Sequence, residues 1–471
     1  MSWIELLFAI FESGMLLFSA CLITSYLVFA VLSSIEVSKY MNVRKFTDYN
    51  DLLGSNFAPS VSLVAPAYNE EPSIVDSLRS MMSLEYNNYE VIVVNDGSTD
   101  QTLRKVIEAF DLVKVPMCIV PKIDTRKILA IYKSRNKAFK KLTVINKVNG
   151  GKADALNAGI NVSSRRLVTC MDVDCVLEPD AIQKMVKPFM EESDVIASGG
   201  VVRIANSCKI ENGRLVQVNL SKNWLARFQI IEYFRAFLLS RLAWTKVNGL
   251  LLISGAFGMF DRKLLVEAGG YRTDTVGEDM ELVVRLRSYM IKKKQKFKVS
   301  LIPDPLCWTE VPSTDAALNK QRNRWTRGTM EVLSMHSYLF FNYRYGVMGL
   351  FSFPFWFYFE WLAPLVEICG LAYSIYALLT GSIYWPIFLS LFALIYSFSV
   401  FFSIFALHTE DRSFHKYDSS EDKLKLIISC LLEPFLYHPR LVWAAVLGNI
   451  DYLKGKKSWG EMTRSGFKGN I

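Results

Sequence analysis

The chain has 471 residues, of which 51% are hydrophobic, 13% aromatic and 21% charged; its formal net charge is +9 and its mean hydropathy +0.21. That is too apolar for an ordinary soluble protein and too charged for one built only of membrane segments, so segments of both kinds are expected. The eight cysteines are scattered with no Cys-x-x-Cys pair, which favours buried reduced thiols over disulfides or a zinc site.

The first predicted element is apolar. Ser13 to Ile35 carries no charge over about 23 residues, enough at 1.5 Å per residue to cross a hydrocarbon core of about 30 Å. Glu5 and Glu12 precede it and no small-residue cleavage site follows, so it reads as an anchor and not as a signal peptide. Lys39, Arg44 and Lys45 follow it, and Arg344 precedes the next apolar stretch, which places the region between them on the cytoplasmic side.

That region alternates. Val61 to Ala67 is a short apolar run closed by Tyr68-Asn69-Glu70, and Ser73 to Met82 has helical spacing. Val91 to Val94 is a second run, ending at Asn95-Asp96-Gly97 before a helical stretch from Thr99 to Phe110. Strand, loop and helix in repetition predict a mostly parallel sheet with helices on both faces, whose ligands sit where loops leave the carboxyl ends of the strands. Arg166 to Met171 repeats the pattern and delivers Asp172 and Asp174, and Asp180 to Met190 reads as the helix after it.

From Lys122 to Lys147 there are nine Lys or Arg against one Asp. The run reads either as a solvated helical face or as a basic lobe facing anionic lipid head groups or an anionic nucleotide-sugar. Nucleic acid is not expected, because no aromatic-interleaved basic platform or helix-turn-helix pattern accompanies the run.

The chemistry-bearing motifs come in order. Gly150-Gly151-Lys152 opens a helix and offers backbone N–H groups and one ammonium to a diphosphate, or is simply a helix start with a solvated lysine. Asp172 and Asp174, two apart on an exiting strand, would share a face; their oxygens suit Mg²⁺ or Mn²⁺, whereas a lone Asp-x-Asp is also a common turn. Gly255 and Gly258 mark a close backbone approach. Glu278-Asp279 begins a helix, where acids either favour the dipole or take a proton from an attacking hydroxyl. Gln321, Arg324 and Trp325 offer an amide, a phosphate clamp and a ring for stacking or membrane-interface anchoring. None of the four histidines falls among these motifs, so a histidine base is not expected.

From Tyr345 to Ala406 the only charges are Glu360 and Glu367, and Thr380-Gly381-Ser382 divides the stretch into two spanning halves. The two glutamates are seven apart, hence on one helical face, and are expected to border a polar path. Leu424 to Ile450 is interrupted by Glu433, Pro434, His438, Pro439 and Arg440 and reads as a broken, re-entrant or interfacial helix pair. Lys454, Lys456, Lys457, Arg464 and Lys468 place the tail in the cytoplasm. The expected division is an N-terminal transmembrane helix over 1–37, a cytoplasmic domain over 38–335, an interfacial helix over 336–348, two transmembrane helices over 349–408, and the broken helices with the tail over 409–471.

Taken together, Asp96, Asp172-Val173-Asp174, Gly277-Glu278-Asp279 and Gln321-Arg322-Asn323-Arg324-Trp325 resemble the motifs of the family 2 membrane glycosyltransferases, which include cellulose, chitin, hyaluronan and poly-N-acetylglucosamine synthases. The resemblance runs from about Val61 to Gly328. It implies a GT-A fold, a UDP-sugar donor, Mg²⁺ or Mn²⁺, and inversion at the anomeric carbon. It implies that Tyr68 and Asp96 hold the uracil, with Glu70 beside them, and that Lys152 lies near the nucleotide. Asp172 would contact the nucleotide-sugar, Asp174 the metal with Asp172, and Asp279 would be the general base with Glu278 beside it. Gln321, Arg324 and Trp325 would contact the diphosphate and the acceptor end, and Ser254-Gly255 resembles an acceptor-side loop.

The function this implies is transfer of N-acetylglucosamine or glucose to a growing polysaccharide by a multi-pass protein of the bacterial inner membrane. The alternatives are transfer of a single sugar to a lipid-linked acceptor and a non-catalytic export subunit. Gly277 stands where the cellulose-type motif has Thr. Three spans are few for a private polymer channel, so a homo-oligomer or a membrane partner is expected to complete an export path.

Overall fold

In a computed structural model of the chain, residues 3–44, 58–116, 120–211 and 213–456 are described. Lys45, Cys118, Lys457, Arg464 and Lys468, used in the reading above, lie outside them, as does the Glu5 side chain. The chain groups into two compact units. One combines Asn42–Ala226 with Leu250–Pro312, and the other combines Met1–Met41, Arg227–Gly249 and Ser313–Ser458.

The first unit is built on one sheet. Its strands are β1 (Val61–Ala67), β2 (Tyr89–Asp96), β3 (Leu112–Val115), β4 (Ile128–Ser134), β5 (Leu142–Lys147), β6 (Leu167–Met171), β7 (Val176–Leu177), β8 (Val195–Ile204), β11 (Phe257–Asp261) and β12 (Lys298–Thr309). They lie in the order β3-β4-β5-β2-β1-β6-β11-β8-β12-β7, and β9 (Lys209–Glu211) and β10 (Arg214–Gln217) form a separate ribbon. The pairs β1–β2, β1–β6, β2–β5 and β8–β12 are parallel, whereas β4, β7 and β11 run against their neighbours. This is a mixed α/β sheet with flanking helices.

The continuous apolar runs of β1, β2 and β6 are explained by burial on both faces: Val61, Leu63, Val64, Val91, Val94, Leu167 and Val168 are inaccessible or nearly so. Helices Ile74–Met82, Thr102–Ala109, Lys152–Val162, Ala181–Glu191 and Glu278–Lys292 follow their strands or loops within a few residues of the sequence expectation. The basic run differs from one of its two readings. It is not a helical face but β4, a single 3₁₀ turn at Lys137–Phe139, and β5.

In the second unit, three helices among the described residues are long and apolar enough to cross a membrane: Phe8–Arg44, Met348–Leu379 and Trp385–Ser413. Helices Ser420–Leu436 and His438–Leu453 have 17 and 16 residues and meet at Tyr437, where the prolines and charges had marked an interruption. At 1.5 Å per residue each is about 25 Å long, short of a hydrocarbon core of about 30 Å. Arg227–Gly249 and the helix Asp315–Met335 group with this unit, although the sequence had assigned both to a continuous 38–335 domain. Charges had disguised the former as soluble sequence. In the fold Arg235 meets both carboxylate oxygens of Glu433 at 2.9 and 3.0 Å, so the charges are matched inside the helical unit.

Glu360 lies in the π-helical segment Trp356–Leu362, whose wider turn rotates it relative to Glu367 on Ala363–Leu379. Glu360 is exposed, and Glu367 faces His438 Nε2 at 2.7 Å.

Candidate active site

The site in the sheet unit begins with the register of parallel strands. Ala67 pairs with Asn95, and Asp96 pairs with Lys147, so Tyr68, Asp96 and Lys147 leave β1, β2 and β5 at one level of the sheet's carboxyl edge. The first two loops are stitched together: Asn69 N–H donates to Ser98 Oγ at 3.0 Å, and Thr99 N–H donates to Asn69 Oδ1 at 2.8 Å. Tyr68 is half exposed and free to face a ligand. Glu70 is buried and shapes its turn, its carbonyl accepting from Ser73 and Ile74 N–H and its carboxylate from Ser73 Oγ.

Asp96 is enclosed. Lys147 Nζ lies 2.5 Å from its Oδ1, Gly150 N–H donates to Oδ1 at 3.0 Å, and Gly151 N–H donates to Oδ2 at 2.7 Å. Lys147 also meets Asp154 Oδ1 at 2.5 Å and the Val148 carbonyl at 2.6 Å, with its own side chain fully buried. The lysine is therefore part of the core and not of the basic surface with which its sequence neighbours group it. One ammonium and two carboxylates clamp the Gly150-Gly151 turn, whose Gly151 has φ +89° and ψ 169°, a conformation that costs a residue with a Cβ about 1–3 kcal/mol. The clamp sets the position of Lys152 at the first turn of its helix.

Lys152 in turn gathers the acids. Its Nζ forms an ion pair with Asp172 Oδ1 and lies 3.9 Å from Glu278 Oε1. Gly255 N–H donates to Asp279 Oδ2 at 3.2 Å, and a Cβ on Gly255 would lie 3.2 Å from Lys152 Nζ. Asp172 N–H donates to the Ala256 carbonyl at 3.3 Å, which closes the ring of contacts. Burial opposes the Lys152 charge, but Asp172, Glu278 and Asp279 outweigh it and hold the ammonium above its usual range. Glu278 is buried whereas Asp279 is partly exposed.

Asp172 and Asp174 lie in the turn beyond β6 and not within the strand, so alternation along a strand does not determine how their side chains point. Among the described residues no three Asp, Glu, His or Cys side chains form a metal-binding group. A site of one or two carboxylates still fits a hard divalent cation whose remaining ligands are waters and substrate phosphates. Acids outnumber the single ammonium here, which is a donor set of the right chemistry. Cys170, just before this turn, is buried, and its thiol is pushed up to about 12, which leaves it inert.

Gln321, Arg324 and Trp325 lie on the helix Asp315–Met335 of the other unit. Within that unit Trp325 is 41% exposed, and Arg322, not singled out from the sequence, is the buried member of the pentapeptide. Its Nη2 bonds Glu232 at 2.8 Å and Tyr437 Oη at 3.1 Å, and its guanidinium lies 4.0 Å from the Trp325 ring. In the sheet unit, sequence reasoning also missed Asn157, which exchanges two hydrogen bonds with the Tyr271 backbone, and the Glu281–Arg285 pair, which holds the loop before Glu278 through the Ala268 and Gly270 carbonyls. The i,i+4 spacing of that pair was its available signal.

A family model described as "Glycosyltransferase like family 2" matches residues 58–328. Among curated proteins, a poly-beta-1,6-N-acetyl-D-glucosamine synthase of Staphylococcus epidermidis is 30% identical over 273 residues, covering 58% of this chain and 55% of that protein. One of Staphylococcus aureus (strain COL) is 29% identical over 303 residues, 63% of this chain and 60% of that protein. The chain thus spans little more than half the length of these relatives. Among solved structures, the mannosyltransferase PcManGT from Pyrobaculum calidifontis, in complex with GDP-Man and Mn²⁺, aligns with 91% of this chain and 99% of that one at TM-score 0.48 and 15% identity. Residues 1–349 of TarS from S. aureus, in complex with UDP-GlcNAc, cover 58% of this chain and 66% of that one at TM-score 0.34 and 15% identity.

Proposed function

Since the chain belongs to glycosyltransferase family 2, we propose that it is a glycosyltransferase with a GT-A type sheet and that it transfers N-acetylglucosamine from a UDP-sugar to a growing polysaccharide, with inversion. The observation that carries this reading is the convergence of Lys152, Asp172, Gly255, Glu278 and Asp279 at the carboxyl edge of the sheet. The choice of sugar follows the relatives named as poly-beta-1,6-N-acetyl-D-glucosamine synthases.

The acceptor hydroxyl oxygen attacks the anomeric carbon from the side opposite UDP. A bond from that oxygen to the carbon forms, the bond from the carbon to the diphosphate oxygen breaks with its electron pair leaving on UDP, and the hydroxyl proton passes to Asp279. The Gly255 N–H holds Asp279 Oδ2 in place before the reaction, which is the condition for a base to act within hydrogen-bond reach. Lys152 supplies a fixed positive charge to the leaving diphosphate, and pre-placed charge of this kind is most effective in a site that excludes water. Asp172 and Asp174 would hold the Mg²⁺ or Mn²⁺, which when bound adds Lewis-acid neutralisation of the diphosphate. On the family pattern, Gln321, Arg324 and Trp325 act on the diphosphate and the acceptor end, and Tyr68 faces the base.

The test is UDP release by the purified full chain across a panel of UDP-sugars with Mg²⁺ or Mn²⁺, with products sized on the same samples. UDP-N-acetylglucosamine as the active donor, giving long products, is the expected result. A single added sugar on a lipid carrier would refute the polymer reading, and silence with every donor would refute the catalytic one.

A further inference from the structure

The edge strands β3 and β4 and residues 121–127 border a cleft of about 470 Å³, whose Arg126 lies beside the Gly150-Gly151 turn. That lies within the range of about 300–1,000 Å³ typical of ligand pockets. Lys114, Thr125, Arg126, Lys127 and Asn161 line it, and Asp124 is the acid among its lining residues.

The wall is built before any ligand arrives. Asn161 Oδ1 accepts from the N–H of Lys122 at 2.9 Å and of Ile123 at 3.0 Å, and its Nδ2 donates to the Ile123 carbonyl at 2.7 Å. Arg126 N–H donates to Asp154 Oδ2 at 3.0 Å. The backbone carrying the cations is thus fixed, while the side chains of Lys114, Arg126 and Lys127 remain exposed.

Among the described lining residues their charge exceeds that of the single acid, Asp124. Elsewhere on this unit several exposed cations meet acids: Arg104 pairs with Glu108, Lys105 with Glu71, and Lys293 with Glu267. Among the described residues, no carboxylate lies within ion-pair distance of Lys114, Lys122, Arg126, Lys127, Lys133 or Arg135. Nearby, burial and then the neighbouring Lys140 hold the Lys141 ammonium below its usual range. Lysines also protect a sheet edge from pairing, but that role needs neither a pinned loop nor a recess, whereas receiving several negative charges uses both.

We infer that this cleft is a binding site for a phosphate-bearing polyanion, separate from the site at Lys152 and Asp172. Arg126 offers a planar fork suited to phosphate oxygens, Lys114 and Lys127 act as point charges, and Thr125 adds a hydroxyl. The same chemistry recognises a soluble polyphosphate and the head group of an anionic lipid, and experiment separates these sources.

The full chain in neutral detergent is titrated calorimetrically with inorganic pyrophosphate, with and without saturating UDP. In a parallel arm, micelles are doped with phosphatidylglycerol or phosphatidylcholine and thermal unfolding is followed. The expected result is saturable binding of one pyrophosphate per chain that persists with UDP, or stabilisation by phosphatidylglycerol but not phosphatidylcholine. Either effect should weaken at least tenfold in Lys114→Gln/Lys127→Gln, a pair of exposed substitutions whose folding is checked by circular dichroism, with Lys127→Gln alone as the milder variant. Pyrophosphate binding identifies a soluble ligand, and the lipid effect alone identifies a head group. Displacement by UDP, insensitivity to both variants, or no effect in either arm overturns the inference.

Discussion

Lys147→Met tests whether the buried charge cluster holds the donor loop. The methionine keeps the length of the side chain and removes the ammonium that lies 2.5 Å from both Asp96 and Asp154, whose side chains are 3% and 8% exposed. Removing one partner of a buried ion pair costs about 3–5 kcal/mol, because the charge left behind stays desolvated. Asp96 keeps its two N–H donors from Gly150 and Gly151, and Asp154 keeps the Arg126 N–H, so the expected loss is at the lower end, about 3 kcal/mol. For a folded unit of this size that is a fall in unfolding midpoint of about 6–12 °C. Lys147→Met/Asp154→Asn removes the repulsion as well as the cation and should recover about 0.5–3 kcal/mol relative to simple addition of the two single losses. The assay is thermal unfolding in detergent, combined with the KM for the UDP-sugar, which should rise because the Gly150-Gly151 turn that sets Lys152 loses its clamp. A midpoint shift below about 2 °C, less than about 1 kcal/mol for such a unit, together with an unchanged KM would refute the reasoning.

Asp279→Asn should retain UDP binding and lose transfer by about 10²–10⁴-fold, the usual contribution of a positioned base; turnover near the wild-type level would remove Asp279 from that role. Burial works against the charge of His438, but its hydrogen bond with Glu367 outweighs this and raises its pKa. The stability it contributes is therefore fully present below the ordinary value of about 6.5 and is lost as pH rises through the raised one. Because the pair is nearly half exposed, the effect should stay below about 1 kcal/mol, and His438→Gln should flatten the pH profile of the unfolding midpoint across that window; an unchanged profile would exclude the pair as its source. Cys170, with its thiol pushed up to about 12 by burial, should resist alkylation at pH 8 until the chain is denatured, and rapid labelling of the native protein, read by peptide mass spectrometry, would contradict the packing.

What could be read in advance depended on whether a residue's type or its surroundings decided its role. The runs of β1, β2 and β6 were legible because strands buried on both faces have no alternation to disguise them, and the acids at their ends fell where loops leave a parallel sheet. β4 was not legible as a strand, because its place near the sheet edge lets Lys133 remain partly exposed and Leu129 exposed, and the surrounding lysines gave the segment the composition of a solvated helix. Asp96 shows the limit most clearly. The resemblance implied a carboxylate facing the base of the donor; in the fold its oxygens accept from Lys147 and the Gly150-Gly151 backbone, contacts that the resemblance did not include. Nothing in Asn95-Asp96-Gly97 announces this, since the partners arrive from β5 and the loop after it, through a register that a single strand's sequence does not contain.

The pentapeptide at 321–325 shows the same limit from the other direction. Gln321, Arg324 and Trp325 are spaced i, i+3 and i+4, so a helix brings them to one face, and a reading that looks for a shared ligand selects them together. Arg322 falls between them in sequence, and its guanidinium, over the Trp325 ring, reaches Glu232 and Tyr437. Burial opposes its charge, and Glu232 with the Tyr437 and Tyr233 hydroxyls overcomes this, so the guanidinium is held fully charged inside the helical unit. A cation so enclosed is costly unless matched, and Tyr437 supports the pairing by donating its own proton to Glu232 at 2.6 Å. The helix therefore carries two kinds of residue: Gln321, Arg324 and Trp325 along one face, and an internal arginine that ties that helix to Arg227–Gly249 and to the junction of Ser420–Leu436 with His438–Leu453. Only the first follows from residue type and spacing. The second required knowing that Glu232 and Tyr437, distant in sequence, fold against the same turn.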